Sequence, residues 1–183
     1  MTVVVINLKE FWYRESHMRD MKSLKHNFIQ GHERDGAIFD QIMNTEACYP
    51  GVKPEEVHMA LSWGDYLLAE VNKQLQVQVF AICTVLAVPR FNVYENDKPK
   101  GGNLEITLIC SFKKGQGLGS RMLKTVEDFA LETLWIEKLE LTAVRNTHQL
   151  YLNQGYNYKK RKQVLDESVN VRFVKKLLHG VVD

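Results

Sequence analysis

The sequence predicts a mixed α/β chain of the α+β kind, with a central mixed, largely antiparallel sheet of about seven strands flanked by about four helices. Three observations predict it. Runs rich in β-branched and aromatic residues recur along the chain, apolar stripes of helical period fall between some of them, and one strand leads through a glycine-rich turn into a helix.

The first strand is Val3 to Leu8, whose β-branched residues are dense enough to predict cover on both faces. Two helical stretches follow, Glu15 to Gln30 and Asp35 to Asn44, with "GHERDG" as the break between them. "EACYPGVKPEE" reads as a loop. Tyr66 to Val71 and Leu75 to Val88 are the second and third strands, joined as a hairpin by the polar "NKQ". Pro89 to Asn103 is a long surface connection to the fourth strand, Leu104 to Cys110. The next helix runs from about Gly119 to Leu134, because Met122, Val126, Phe129, Ala130 and Leu134 make one apolar stripe. "KLELTAV" is the fifth strand, and a short helix spans Thr147 to Gln154, with Gly155 where a left-handed residue ends helices. Tyr156 to Gln163 and Val169 to Lys175 are two last strands, a hairpin around "LDES".

At 183 residues, with 45% hydrophobic and 25% charged positions, the chain is expected to form one domain over 1–183. A net charge of +2 is too mild to predict a nucleic-acid or membrane partner. The apolar "TVVVINL" is shorter than a leader core or the ~20 residues of a membrane-spanning helix. Cys48, Cys83 and Cys110 have no ligand spacing, so free thiols and a reducing, cytoplasmic setting are expected. His17, His26, His32, His58, His148 and His179 show no metal spacing, and no metal site is expected.

The stretch "CSFKKGQGLGSRML" carries the chemistry. A strand, a glycine-rich turn and a helix N-terminus together present unpaired backbone N–H groups and the positive end of a helix dipole, which suits phosphate. Gly115, Gly117 and Gly119 remove the Cβ atoms that would hold a pyrophosphate off the main chain, and Lys113 and Lys114 add positive charge. A Walker A loop would need a lysine after the glycines. A dinucleotide fingerprint would need a glycine where Ser120 stands, and several βαβ units. A ligand-free capping turn would not need three alternating glycines.

"KGQGLGSRML" resembles the (R/Q)-x-x-G-x-(G/A) coenzyme A turn of the GNAT superfamily of N-acetyltransferases, with Lys114, Gly117 and Gly119 on its key positions. "LYLNQGY", Leu150 to Tyr156, is similar to that family's L-Y-x-x-x-G-(F/Y) segment, and "VNVRFVKKL" to its closing strand. The chain departs from the pattern at three places: Lys114 replaces arginine or glutamine, Ser111 replaces a common proline, and the asparagine expected at Val144 stands at Asn146.

The resemblance implies an acyl-CoA N-acyltransferase fold, acetyl-CoA as cosubstrate, and direct attack of a primary amine on the thioester within one ternary complex. Main chain near Ile109 would pair with the pantetheine, residues Lys114, Gly115, Gln116, Gly117, Leu118, Gly119 and Ser120 would hold the pyrophosphate, and Asn146 would lie by the pantetheine arm. An alkylamine of pKa ~10 must lose a proton before attack. Glu105 is the candidate base, with an outward-facing or acceptor-binding carboxylate as the other reading. Tyr151 matches the family's general acid for the departing thiolate; otherwise it is a packed aromatic. Cys110 reads as core, not as a nucleophile, and "KKRK" (Lys159 to Lys162) as a solvated strand rather than an anion site. The acceptor, an amine on a small molecule, peptide or protein, is left open, as are acyl chain length and oligomeric state, a dimer included. The other function class is a non-catalytic module that binds acyl-CoA; a nucleotide-binding domain of another kind is the third.

Overall fold

The structure, a computed structural model, describes residues 1–20, 29–45, 48, 52–90, 101–144, 146–160 and 170–177. In chain order they form β1 (Thr2–Asn7), α1 (Leu8–Asp20), α2 (Ile29–Met43), α3 (Pro54–Trp63), β2 (Tyr66–Val71), β3 (Val77–Ala87), β4 (Asn103–Ser111), α4 (Leu118–Glu132), β5 (Lys138–Ala143), α5 (His148–Asn153), β6 (Asn157–Tyr158) and β7 (Val171–Lys176). The seven strands make one sheet in the order β1-β2-β3-β4-β5-β7-β6. Pairs β1–β2, β5–β7 and β6–β7 are antiparallel, and β4–β5 is parallel. The mixed sheet is the one expected, although the described residues form five helices where about four were predicted.

The chain divides into two units, Met1–Ile82 with Leu108–Gly119, and Cys83–Thr107 with Ser120–Asp183. In the first, α1 starts at Leu8 and not at Glu15, because Asn7 caps it: the Glu10 backbone N–H donates to Asn7 Oδ1 at 3.2 Å. Leu8 and Phe11 are thereby buried, and Phe11 stacks on Phe39 of α2 at 4.6 Å. The predicted break at "GHERDG" is absent, since α2 runs through it to place Ile38, Phe39 and Ile42 in the core. α3 begins inside the expected loop. Pro54 occupies its first turn, the Lys53 N–H donates to Glu56 Oε2 at 2.9 Å, and Val57, Ala60 and Leu61 are buried.

β1 is a terminal strand, and its predicted cover on both faces does not hold: Val4 and Ile6 are buried, while Val3 and Val5 are 42% and 40% exposed. The β2–β3 hairpin turns at Asn72, whose Oδ1 accepts from the N–H groups of Gln74 and Gln76, both at 2.9 Å. Cys48 and Cys110 are joined as a disulfide, which corrects the expectation of free thiols for two of the three cysteines; Cys83 is free and buried.

In the second unit, Met122, Val126 and Ala130 of α4 are fully buried, whereas Phe129 of the expected stripe is half-buried and Leu134 lies past the helix end at Glu132. β5 follows at the expected place and pairs on one side with β4, from Asn103↔Lys138 to Ile106↔Leu141, and on the other with β7. Gly155 has φ +86°, the left-handed end predicted for α5. The hairpin around "LDES" lies outside the described residues, as do residues 91–100 of the long connection.

Candidate functional site

The glycine turn is reached from β4 through Ser111, whose hydroxyl donates to the Lys113 carbonyl at 2.6 Å and accepts from the Lys113 N–H at 3.2 Å. Where the resemblance would put proline, serine makes the turn by hydrogen bonding. The Phe112 N–H donates to the Gln78 carbonyl at 3.0 Å and ties the turn to β3. Gly115 and Gly117 have φ of +79° and +67°, a region that side chains with a Cβ rarely adopt. A Cβ built at Gly115, Gly117 or Gly119 would meet no atom within 4 Å, so the main chain here borders open space. Lys113, Lys114, Gly115, Gln116 and Gly117 are exposed, whereas Leu118 is buried and anchors the start of α4. α4 is 15 residues long, and its first N–H groups lie at the end of this open turn.

Ile109 is half-buried on β4, beyond the last residue that β4 pairs with β5, Ile106. Asn146 is exposed and left-handed, with φ +61°, a conformation asparagine tolerates. The turn it belongs to is closed by Thr147, whose hydroxyl donates to the Val144 carbonyl at 2.6 Å.

Tyr151, on α5, is 8% exposed, with its ring 5.9 Å from that of Tyr156 and 6.0 Å from that of Phe173. Burial pushes its phenol above the ordinary value, so it carries its proton at neutral pH. Among the described residues its hydroxyl makes no hydrogen bond. Tyr156 differs: its hydroxyl donates to Glu127 Oε1 at 3.2 Å, and Lys175 Nζ donates to the same oxygen at 3.0 Å.

Glu105, on β4, is not a solitary carboxylate. Its Oε2 accepts from Arg172 Nη2 at 2.7 Å, and Arg172 also bonds Glu140, which is 2% exposed. Although burial by itself would raise the Glu140 carboxyl, hydrogen bonds from Asn103, Arg172, Lys159 and Lys138 bring it down to about 2. Sequence reasoning missed Arg172 and Glu140. Each is a charged residue between buried apolar neighbours, Val171 and Phe173 in one case, Leu139 and Leu141 in the other, and that pattern was the available signal. Lys159, read as part of a solvated run, also donates to Glu140.

Among the described residues, no group of three or more His, Cys, Asp or Glu side chains is placed to hold a metal ion, and no helix is long and apolar enough to cross a membrane.

No family model and no curated protein matches the sequence. Solved structures do resemble the fold. Tetrahymena GCN5 is similar with a TM-score of 0.54 at 12% identity, over 81% of this chain and 92% of that one. PH1933 from Pyrococcus horikoshii is similar with a TM-score of 0.51 at 14% identity, over 97% of this chain and 100% of that one. A GNAT family acetyltransferase from Elizabethkingia anophelis, solved with acetyl-CoA bound, has a TM-score of 0.48 at 16% identity, over 76% of this chain and 90% of that one. At these identities the likeness is one of fold.

Proposed function

We propose that this chain is an acetyl-CoA-dependent N-acetyltransferase acting on a primary amine. The observation that carries this reading is the open turn between β4 and α4, with Gly115 and Gly117 at positive φ and no atom where their side chains would be. Such a surface offers main-chain N–H groups and a helix N-terminus to a diphosphate. In this reading Lys114 to Ser120 bind the pyrophosphate, the main chain of β4 near Ile109 binds the pantetheine, and Asn146 contacts its arm.

The reaction then requires a C–N bond to form at the thioester carbonyl while the C–S bond breaks. Glu105 takes the proton of the attacking ammonium through the oxygen not used by Arg172. Tyr151 supplies a proton to the departing thiolate and regains one from solvent. Its raised phenol keeps that proton until charge develops on sulfur.

One observation favours the non-catalytic alternative: Glu105 is already engaged by a guanidinium, as in a structural ion network. Calorimetry with acetyl-CoA tests the binding that both readings share. Thiol release over a panel of small amines and lysine peptides separates them, because a binding module releases none above the rate in buffer.

A further inference from the structure

Glu105 and Glu140 are direct partners on the parallel pair β4–β5, two carboxylates one strand spacing apart. Like charges so placed repel, and the fold answers from a third strand. Arg172 on β7 pairs in register with Thr142 of β5, yet its side chain passes over β5 to reach β4, two strand spacings or roughly 10 Å away. Its Nη2 donates to Glu105 Oε2 at 2.7 Å and to Glu140 Oε2 at 2.9 Å. Its Nε donates to Glu140 Oε2 at 3.1 Å, and its Nη1 to Thr142 Oγ1 at 3.2 Å. All three guanidinium nitrogens are thus engaged, Nε and Nη1 by residues of β5 and Nη2 by Glu140 and Glu105 together.

We infer that Arg172 is a positioning residue, which holds the Glu105 carboxylate in one orientation and Glu140 anchors in turn. The inference rests on the reading of Glu105 as the base. The charged and polar groups that face this cluster are Asn103 and Glu105 from β4, Lys138, Glu140 and Thr142 from β5, Lys159 just after β6 and Arg172 itself. Glu140 meets Lys138, Lys159 and Asn103 besides Arg172, so it does not depend on Arg172 alone, and the Nη2 it shares is the atom that reaches Glu105. Lysine keeps the charge but lacks the Nε and Nη1 donors by which Glu140 and Thr142 fix the plane of the arginine.

The test uses the full chain as wild type, Arg172→Gln, Arg172→Lys and Glu105→Gln. Carbon-13 carboxyl spectra are recorded at neutral pH, the Glu105 signal being the one lost in Glu105→Gln, and thiol release is followed against acetyl-CoA concentration. The expected result for Arg172→Gln is a displaced Glu105 carboxyl resonance, because the 2.7 Å bond that fixes its Oε2 is gone. Its kcat falls about tenfold or more while the KM for acetyl-CoA stays within about twofold. Arg172→Lys lies between. An unmoved Glu105 resonance and unchanged kcat in both arginine variants, with Glu105→Gln inactive, overturns the positioning role and leaves the base in place. If Glu105→Gln turns over like wild type, the base reading falls first, and this role with it. Should Arg172→Gln fail to fold, a wild-type Glu105 resonance in Arg172→Lys is enough to reject the inference, and the same resonance decides if no amine on the panel is acetylated.

Discussion

Tyr156 donates its hydroxyl to Glu127 inside the second unit, and the same carboxylate oxygen takes a second bond from Lys175. Lys175 also donates to the Gln154 carbonyl at 2.7 Å and lies 5.4 Å above the Tyr156 ring. One buried acid on α4 therefore secures β7 and the exit of α5, the helix that carries Tyr151. Removing the cation leaves that acid buried and half-satisfied, so Lys175→Met is expected to destabilise by about 3 kcal/mol. Tyr156→Phe, which removes one of two donors, is expected to cost about 1 kcal/mol. Urea unfolding of both variants measures the difference; equal losses would contradict the ranking.

Acid stability reports on Glu140. Its carboxyl sits at about 2 in the folded chain against an ordinary value of 4.5. A lowered carboxyl contributes stability that is present above 4.5 and is lost as pH falls from there towards 2. Glu140→Gln, less stable at neutral pH, is expected to lose less between pH 4.5 and 2 than the wild type does. Denaturant midpoints collected across that window provide the check, and parallel curves for the two proteins would refute it.

Gly119 separates ligand contact from backbone strain. It lacks the positive φ of Gly115 and Gly117, and a Cβ there meets nothing in the protein. Gly119→Ala is therefore expected to leave the melting temperature within a few degrees while weakening acetyl-CoA binding about tenfold or more. Undiminished affinity by calorimetry would show that no ligand approaches this main chain.

Tyr151→Phe removes a hydroxyl that bonds to none of the described residues, so folding stability is expected to change by less than about 1 kcal/mol. Turnover is expected to fall about a hundredfold or more with the acetyl-CoA dissociation constant unchanged. A variant as active as the wild type leaves Tyr151 as packing against Tyr156 and Phe173.

The disulfide is open to a direct count. Denatured without reductant, the chain should show one reactive thiol, that of Cys83, and after reduction three. In the native protein Cys83 should be silent, since it is buried and burial pushes its thiol up. Closing 62 residues of chain, the bond is expected to contribute about 4 kcal/mol. Three reactive thiols before reduction would remove the bond from the account.

The legible parts of the chain were those whose signal is local. Gly115 and Gly117 in the turn, the Met122–Val126–Ala130 stripe and Gly155 at the end of α5 all announce themselves within one turn of chain. α3 was equally local but masked: Pro54 and Glu56 are a helix start, and they stand in a segment whose prolines and glycine read as loop. The start of α1 was hidden because Leu8 extends the apolar run of β1, so Asn7 looked like an interruption rather than a cap. Val3 and Val5 have the composition of a buried strand, yet exposure depends on where in the sheet the strand lies, and β1 is terminal.

By itself, then, the amino-acid order determined the alternation of strands and helices and the open glycine turn at 113–119, because backbone conformation and helical or strand period act over a few neighbours. Tertiary structure alone decided that β7 lies between β5 and β6, and that Arg172 meets a glutamate 67 residues away. Those outcomes depend on which strands pair and in what register, and a charged residue carries the same local signature whether it ends in water or against another strand.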